Sequence, residues 1–272
     1  MKKQSLIAPL WLMLCALLMA AAFASSGFTQ LQALATQSAQ PAVTPQFVMV
    51  RETIVKPEMT DEYLAFTKSE TLPAYKKAGV KQWAAYTTAN FGEVKYVFIR
   101  PVDDLKVFDE TDTITKALGE EGRRAWLAKW RRLIISSSGY LIQSRPDLSI
   151  LPKPGDTPKL GLLVRHKVAL GRTAEFEALA KSDVLPILGK TNVKAFLMGK
   201  VALGGDANEY LSMTWFDSFE EIQKWATAAQ QQGFSKIAPK EVGITLHRET
   251  AVYRYVPELS IRPEPPKARD KE

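Results

Sequence analysis

Residues 68–81 read KSETLPAYKKAGVK, and residues 181–194 read KSDVLPILGKTNVK. Seven of the fourteen positions are identical, at an offset of 113 (Pro186 minus Pro73). Further on, Pro146-Asp147-Leu148-Ser149-Ile150 returns as Pro257-Glu258-Leu259-Ser260-Ile261, at an offset of 111. Two matches in the same order at nearly one spacing read as two copies of a unit of about 110 residues. A period that long points to duplicated domains and not to a solenoid.

Working outward from the repeat, each copy has the same order of elements. In the first, Phe47–Val55 is β-branched and of strand length. A helix over about 59–77 follows, and Pro73 is expected to kink or end it. Val80–Thr88 and Val94–Ile99 read as a hairpin across Asn90 and Gly92. Asp103 is the expected N-cap of the next segment. A second helix is clearest over 125–135, where Trp126, Trp130, Leu133 and Ile134 share a face. Tyr140–Ser144 closes the copy. The second copy repeats this with Leu160–Val168, Thr173–Leu188, Val193–Leu203, Glu209–Phe216, a helix opened by the capping box Asp217-Ser218-Phe219-Glu220, and Thr250–Tyr255. Each copy is therefore β-α-β-β-α-β, the ferredoxin-like order. Its single antiparallel sheet carries helices on one face and leaves the other bare. Two such sheets in one chain can bury their bare faces against each other, and the covalent link spares most of the association entropy.

The ends read differently. Lys2 and Lys3 precede an apolar run from Leu6 to Phe23, and Ala22-Phe23-Ala24 offers a cleavage site, so residues 1–24 read as a secretory signal peptide. The alternative is a retained anchor. Cys15, the sole cysteine, would leave with the signal, and the mature chain would have neither disulfide nor thiolate ligand. The formal charge would fall from +7 to +5 with the two lysines. Residues 25–46 read as a disordered arm, 47–150 as the first repeat, 151–159 as a linker, 160–261 as the second repeat and 262–272 as a polar tail. An exported, periplasmic or extracellular protein with a mixed-charge surface is expected, with no nucleic-acid partner and no stable membrane span once the signal is removed.

Val50-Arg51-Glu52-Thr53, the helix to Leu72-Pro73, and the run Ala125–Ile134 resemble the dimeric α+β barrel superfamily, and within it the NIPSNAP-like proteins. The resemblance implies an intramolecular barrel made of the two repeats. It also implies a range of chemistries, among them cofactor-independent monooxygenases, small-lactone isomerases and haem-binding enzymes, so fold alone does not choose among them.

No dinucleotide, P-loop, zinc-protease, nucleophile-elbow or CxxC motif is present. Alternation puts His166 beside Leu162, Val164 and Val168. It is an ordinary core histidine or, more sharply, a general base or axial haem ligand. Glu52 is read as its counterpart in the first copy, which excludes a symmetric metal site. Arg51 and Arg165 are read as equivalent positions, and either is a candidate anchor for a carboxylate or phenolate. Trp83, Tyr86, Tyr96, Phe196 and Tyr210, with Tyr253 and Tyr255, are candidate walls of an aromatic pocket. Arg123, Arg124, Lys129, Arg131 and Arg132 around the tryptophans form either a solvated face or a membrane-surface helix. The expectation is a binding protein for a small apolar or aromatic molecule, with no resident cofactor. An oxygenase or isomerase and a ligand-free interaction module are the alternatives, and further homo-oligomerisation stays open.

Overall fold

The computed structural model describes residues 46–262, apart from 154 and 192. The expected signal peptide, almost all of the arm and nearly all of the tail lie outside the described residues. Strands Phe47–Val55 (β1), Ala84–Thr88 (β2), Lys95–Val102 (β3) and Ile134–Ser144 (β4) pair in the order β4-β1-β3-β2. Strands Leu160–Val168 (β5), Phe196–Leu203 (β6), Glu209–Phe216 (β7) and Thr245–Tyr255 (β8) pair in the order β8-β5-β7-β6. Two seams, β2 on β8 and β4 on β6, close these into one antiparallel barrel of eight strands.

Alternation along each strand separates an outer face from a lumen. Outside, Val55, Trp83, Tyr96 and Phe98 pack with Tyr63, Phe66 and Leu72 from the first helical segment and Leu133 from the long second helix. Val168, Phe196, Met198 and Tyr210 pack likewise with Phe176, Ala180 and Leu188. A third cluster joins Val50, Tyr86, Val97, Tyr140, Val201, Leu211 and Tyr253, which come from seven strands. Side chains from strands around the whole circumference can meet only inside the barrel.

Both repeated motifs have visible structural work. The first helical segment is α1 (Thr60–Phe66), a π turn (Thr67–Thr71) and α2 (Leu72–Lys77). Proline has no N–H, and its ring crowds the carbonyl four residues back. Here the Leu72 N–H reaches the Thr67 carbonyl five residues back, and the wider turn lets the helix run on through Pro73 instead of ending there. In the second half, Leu185 N–H reaches the Ala180 carbonyl ahead of Pro186, between α4 (Thr173–Leu179) and α5 (Leu185–Leu188). The other motif closes the seams. Ser149 Oγ accepts from Met198 N at 2.9 Å and donates to the Arg145 carbonyl at 2.7 Å. Ser260 Oγ accepts from Ala85 N at 2.9 Å and donates to the Val256 carbonyl at 2.8 Å. Ile150 then bridges to Phe196, and Ile261 to Trp83.

Several expected boundaries shift. The helical segment α3 spans Thr113–Leu133 with a kink at Gly119, whose φ of +72° is non-helical, and it is capped by Asp112, whose Oδ1 accepts from the Ile114 and Thr115 amides at 3.1 Å. Asp104, not Asp103, caps the preceding 3₁₀ turn. Strand β4 starts at Ile134 directly after α3, because Ile134 pairs with Val55. Isoleucines suit either period, and pairing across the sheet decides between them. Strand β8 likewise starts at Thr245, five residues before its expected start. Residues 80–83 and 193–195 lie outside the strands. The capping box moves by one residue: Ser218 Oγ accepts from Glu221 N at 3.2 Å, and Glu221 Oε2 accepts from Asp217 N at 2.7 Å, ahead of α6 (Phe219–Gln231).

Candidate functional site

The lumen has a charged end and an apolar end. On β1 the inward series is Val48, Val50, Glu52, and on β5 it is Leu163, Arg165. Glu52 faces Val97 on β3 and Ser138 on β4, while Arg165 faces Leu211 on β7 and Glu249 on β8. The two residues hold matching places in the two halves, at the offset of 113 seen in the repeat. They meet across the barrel: Arg165 Nη2 donates to Glu52 Oε1 at 2.7 Å. Arg165 Nη1 donates to Glu209 Oε2 at 2.8 Å, and Lys95 Nζ lies 3.3 Å from Glu52 Oε2.

Tyr140 completes the cluster. Its hydroxyl donates to Glu52 Oε1 at 2.6 Å and accepts from Arg165 Nη2 at 3.0 Å. Burial, then the neighbouring Glu52 charge, pushes the Tyr140 phenol well above its ordinary range, so it stays protonated. Burial alone would lower Arg165, but the Glu52 and Glu209 charges outweigh it and hold the guanidinium charged. These groups border a cavity of about 400 Å³, shared with Leu163, Tyr253, Glu249 and the Gly204–Gly205 turn. Gly204 has φ +79°, and a Cβ there would meet the Gly139 carbonyl at 2.7 Å, so only glycine lets this turn press onto β4.

At the apolar end of the lumen lies a second cavity of about 190 Å³. Its walls are mainly aliphatic and aromatic: Val50, Tyr86, Val97, Ile142, Leu211 and Met213 face it, with Ser144 and Gly199 at one seam. Tyr140, Leu163 and Tyr253 belong to the walls of both cavities, so these three side chains stand between the charged and apolar ends. Burial pushes the Tyr86 and Tyr253 phenols upward as well, and both are neutral in the lumen.

Of the residues expected to share a site, the lumen receives Arg165, Tyr86 and Tyr253, with Tyr255 packed against Tyr86. The expected equivalence of Arg51 and Arg165 is displaced by one residue, which on a strand reverses the face. Arg51 therefore sits outside the lumen. The true counterpart of His166 is Thr53, not Glu52, since Thr53 faces Tyr96 as His166 faces Tyr210. Trp83 and Tyr96 lie in the outer core of the first half, with Trp83 stacked 5.1 Å from Phe98 and Tyr96 5.0 Å from Tyr63. Phe196 and Tyr210 lie in the outer core of the second half.

His166 is in that outer core too, with its ring 5.4 Å from Phe176 and Nε2 3.3 Å from Ser212 Oγ. Burial, then the nearby Arg248 charge, pushes the imidazole down to about 3. It is neutral at physiological pH and lines neither cavity, which does not fit an axial haem ligand. Among the described residues no group of three or more His, Cys, Asp or Glu side chains is arranged to hold a metal ion. The basic side of α3 is largely paired: Arg123 with Asp112, Lys129 with Glu70 and Arg132 with Glu62. Trp126 stacks on Trp130 at 5.7 Å and donates to Thr71 Oγ1 at 3.2 Å. No helix among the described residues is long and apolar enough to cross a membrane.

The lumen groups that inspection of the sequence passed over are Glu52, Lys95, Tyr140, Glu209 and Glu249. Their signal was available: the offset of 113 that aligns Pro73 with Pro186 also aligns Glu52 with Arg165.

No protein-family model matches this chain, and neither does any curated protein sequence. Among solved structures, a candidate monooxygenase from Fusobacterium nucleatum is similar with a TM-score of 0.56 and 13% identity, over 78% of this chain and 93% of that one. An anthrone oxidase-like protein is similar with a TM-score of 0.53 and 12% identity, over 79% and 92% of the two chains. A mutant chlorite dismutase from Candidatus Nitrospira defluvii follows at 0.51 and 11%, over 79% and 93%. At such identities the likeness speaks for fold and not for chemistry. With its closed antiparallel barrel of eight strands and its helices outside, the chain has the dimeric α+β barrel fold.

Proposed function

We propose that this barrel binds a small, uncharged aromatic or apolar molecule inside its lumen. The observation that carries this is the apolar cavity of about 190 Å³ adjoining a charged cluster in which Arg165 and Lys95 are already paired with Glu52 and Glu209. A cavity of roughly 150 Å³ lined by aliphatic and aromatic side chains stays dry and takes up benzene in another protein. The volume here suits one or two fused rings. A hydroxyl on such a molecule would point toward Tyr140. Both terminal nitrogens of Arg165 are engaged by Glu52, Glu209 and Tyr140, so an anionic ligand would have to break those bonds to reach it.

The oxygenase or isomerase reading needs a base beside the substrate. Glu52 is placed for that, yet one of its oxygens accepts two hydrogen bonds and the other faces Lys95. This favours binding over catalysis. Calorimetric titration with 2-naphthol and with 2-naphthoate tests the reading. The neutral phenol should bind and the carboxylate should bind at least about tenfold more weakly. Equal or tighter binding of the carboxylate would return the role of anion anchor to Arg165. Oxygen uptake with 2-naphthol, lost in Glu52→Gln, would establish the enzyme reading instead.

The rest of the proposal concerns the chain around the barrel. The strand order and both motifs recur in the two halves, which supports descent from one duplicated ferredoxin-like unit, with 47–150 and 160–261 as the repeats. The NIPSNAP-like relationship is kept as the finer affinity. Residues 1–24 are proposed to direct export to the periplasm or exterior, and a larger homo-oligomer remains compatible with this fold.

A further inference from the structure

The two seams of the barrel are built on one plan but filled differently. At the β2–β8 seam Tyr86 is the direct partner of Tyr255. At the β4–β6 seam Gly199 is the direct partner of Ser144. These pairs hold matching places, at the same offsets as the repeat: 199 minus 86 is 113, and 255 minus 144 is 111. The first seam therefore carries two phenols where the second carries a hydrogen and a hydroxymethyl group.

The phenols occupy the space. Tyr86 and Tyr255 meet edge to face with ring centroids 5.5 Å apart. Arg262 covers Tyr255 from outside, with its guanidinium 5.2 Å from the ring centroid and Nε 3.1 Å from the hydroxyl. At the other seam Ser144 carries nothing of that size, while the Ile142 side chain stands where a Cβ on Gly199 would be. Ser144 and Gly199 line the apolar cavity, and beside them Arg145, Ser149 and Leu151 extend its wall to the segment that joins the halves. Arg145 is held away from the lumen axis by Asp147 and Glu177, with Nε on Asp147 at 2.9 Å and Nη2 on Glu177 at 2.9 Å.

We infer that the lumen takes a single ligand, seated against the β4–β6 seam beside Ser144, while Tyr86 and Tyr255 fill the matching site at the other seam. This rests on the reading of the lumen as a binding site and adds its stoichiometry and its side.

The experiment is calorimetric titration of the purified chain with 2-naphthol. Wild type should bind one molecule per chain. Ser144→Tyr, which places at the open seam the side chain that its counterpart carries, should weaken binding by at least about tenfold. The double variant Tyr86→Gly/Tyr255→Ser should bind two. Because that double change removes much aromatic packing, Tyr255→Ser alone serves beside it, and a lowered affinity or unchanged stoichiometry in a folded Tyr255→Ser/Tyr86→Gly protein overturns the inference. Two molecules bound by wild type, or Ser144→Tyr binding as wild type does, overturns it as well. Absence of any binding by wild type would instead remove the underlying reading of the lumen.

Discussion

The two halves of the barrel agree where the chain must hold its shape and differ where it faces the lumen. Ser149 and Ser260 accept from Met198 N and Ala85 N at the same 2.9 Å. The Leu-Pro steps at 72–73 and 185–186 both follow a π turn. Inside, Glu52 is matched by Arg165, Tyr86 by Gly199, Ser144 by Tyr255 and Tyr140 by Ala251, as the strand pairings place them. A frame with two equal halves would enclose two equal half-sites. Opposite charges at matching places let the halves bind each other at the charged end, and unequal volumes leave room at one seam only. Function, on this view, depends on the positions where the repeat breaks down.

The largest expected effect attacks the charged contact. Glu52 and Glu209 have side chains only 11% and 15% exposed, and Arg165 stands between them. Arg165→Met would leave Glu209 without this ion pair and Glu52 with Lys95 alone. Removing one partner of a buried pair costs about 3 kcal/mol or more, mostly through the charge left behind. Urea denaturation should show a loss of that size. Lys167→Met, two residues along the same strand with an exposed partner in Asp206, should change stability little. Equal effects for the two variants would mean that the cross-barrel contact is no stronger than a surface pair.

A smaller effect separates the outer cores. His166 in the second half titrates, whereas its counterpart Thr53 does not. The folded imidazole is held down to about 3, against 6.5 in the ordinary case. Below about 6.5 the unfolded chain takes up a proton that the folded chain refuses, so stability falls as pH drops from 6.5 toward 3. The loss should reach about 2 kcal/mol by about pH 5. Phe176, Ser212, Tyr210 and Arg248 surround the ring, and Arg248 is the charge among them that opposes protonation. Denaturation midpoints at neutral and mildly acidic pH should converge for His166→Thr, leaving only the carboxylate-driven loss at lower pH. A wild-type midpoint that stays flat from pH 7 to about 5 would show that the ring gains water on protonation.

Much of this fold is written locally, and the site is not. Strand and helix order follow from short-range periodicity, and the repeat supplies the pairing of halves. The lumen depends on which face each strand turns inward, a period-two property in which a slip of one residue inverts every assignment. Reading Arg51 as the counterpart of Arg165 made that slip: it matched Glu52 with His166 instead of with Arg165, while alternation had set His166 on the face that the closed sheet turns outward. Tyr96, Phe196 and Tyr210 looked like pocket walls because aromatics on strands serve equally under helices or inside barrels. Only the closure of the sheet decides between those places. Glu52 was legible in principle, as a carboxylate inside an apolar alternation of Val48 and Val50. The π turns were not, because a proline inside a helical pattern reads equally as an end, a kink or a widened turn.

The smallest effect tests the agreement rather than the difference. Ser149→Ala leaves the Met198 amide without its acceptor, and Ser260→Ala does the same to Ala85. A partly buried amide that loses its acceptor costs about 1–2 kcal/mol. The two serines close opposite seams, so their losses should be similar and should add in the double variant to within about 0.5 kcal/mol. A clearly larger cost for Ser260→Ala would mean that the tyrosine-filled seam holds the barrel shut while the other is loose. A larger cost for Ser149→Ala would mean the reverse: the seam beside the cavity relies on its hydrogen bonds because it lacks aromatic packing. Repeating the Ser149→Ala measurement with 2-naphthol present distinguishes these further. A ligand adds the same stability to every variant that binds it equally, so 2-naphthol should leave the cost of Ser260→Ala unchanged and enlarge that of Ser149→Ala, whose side chain is part of the cavity wall.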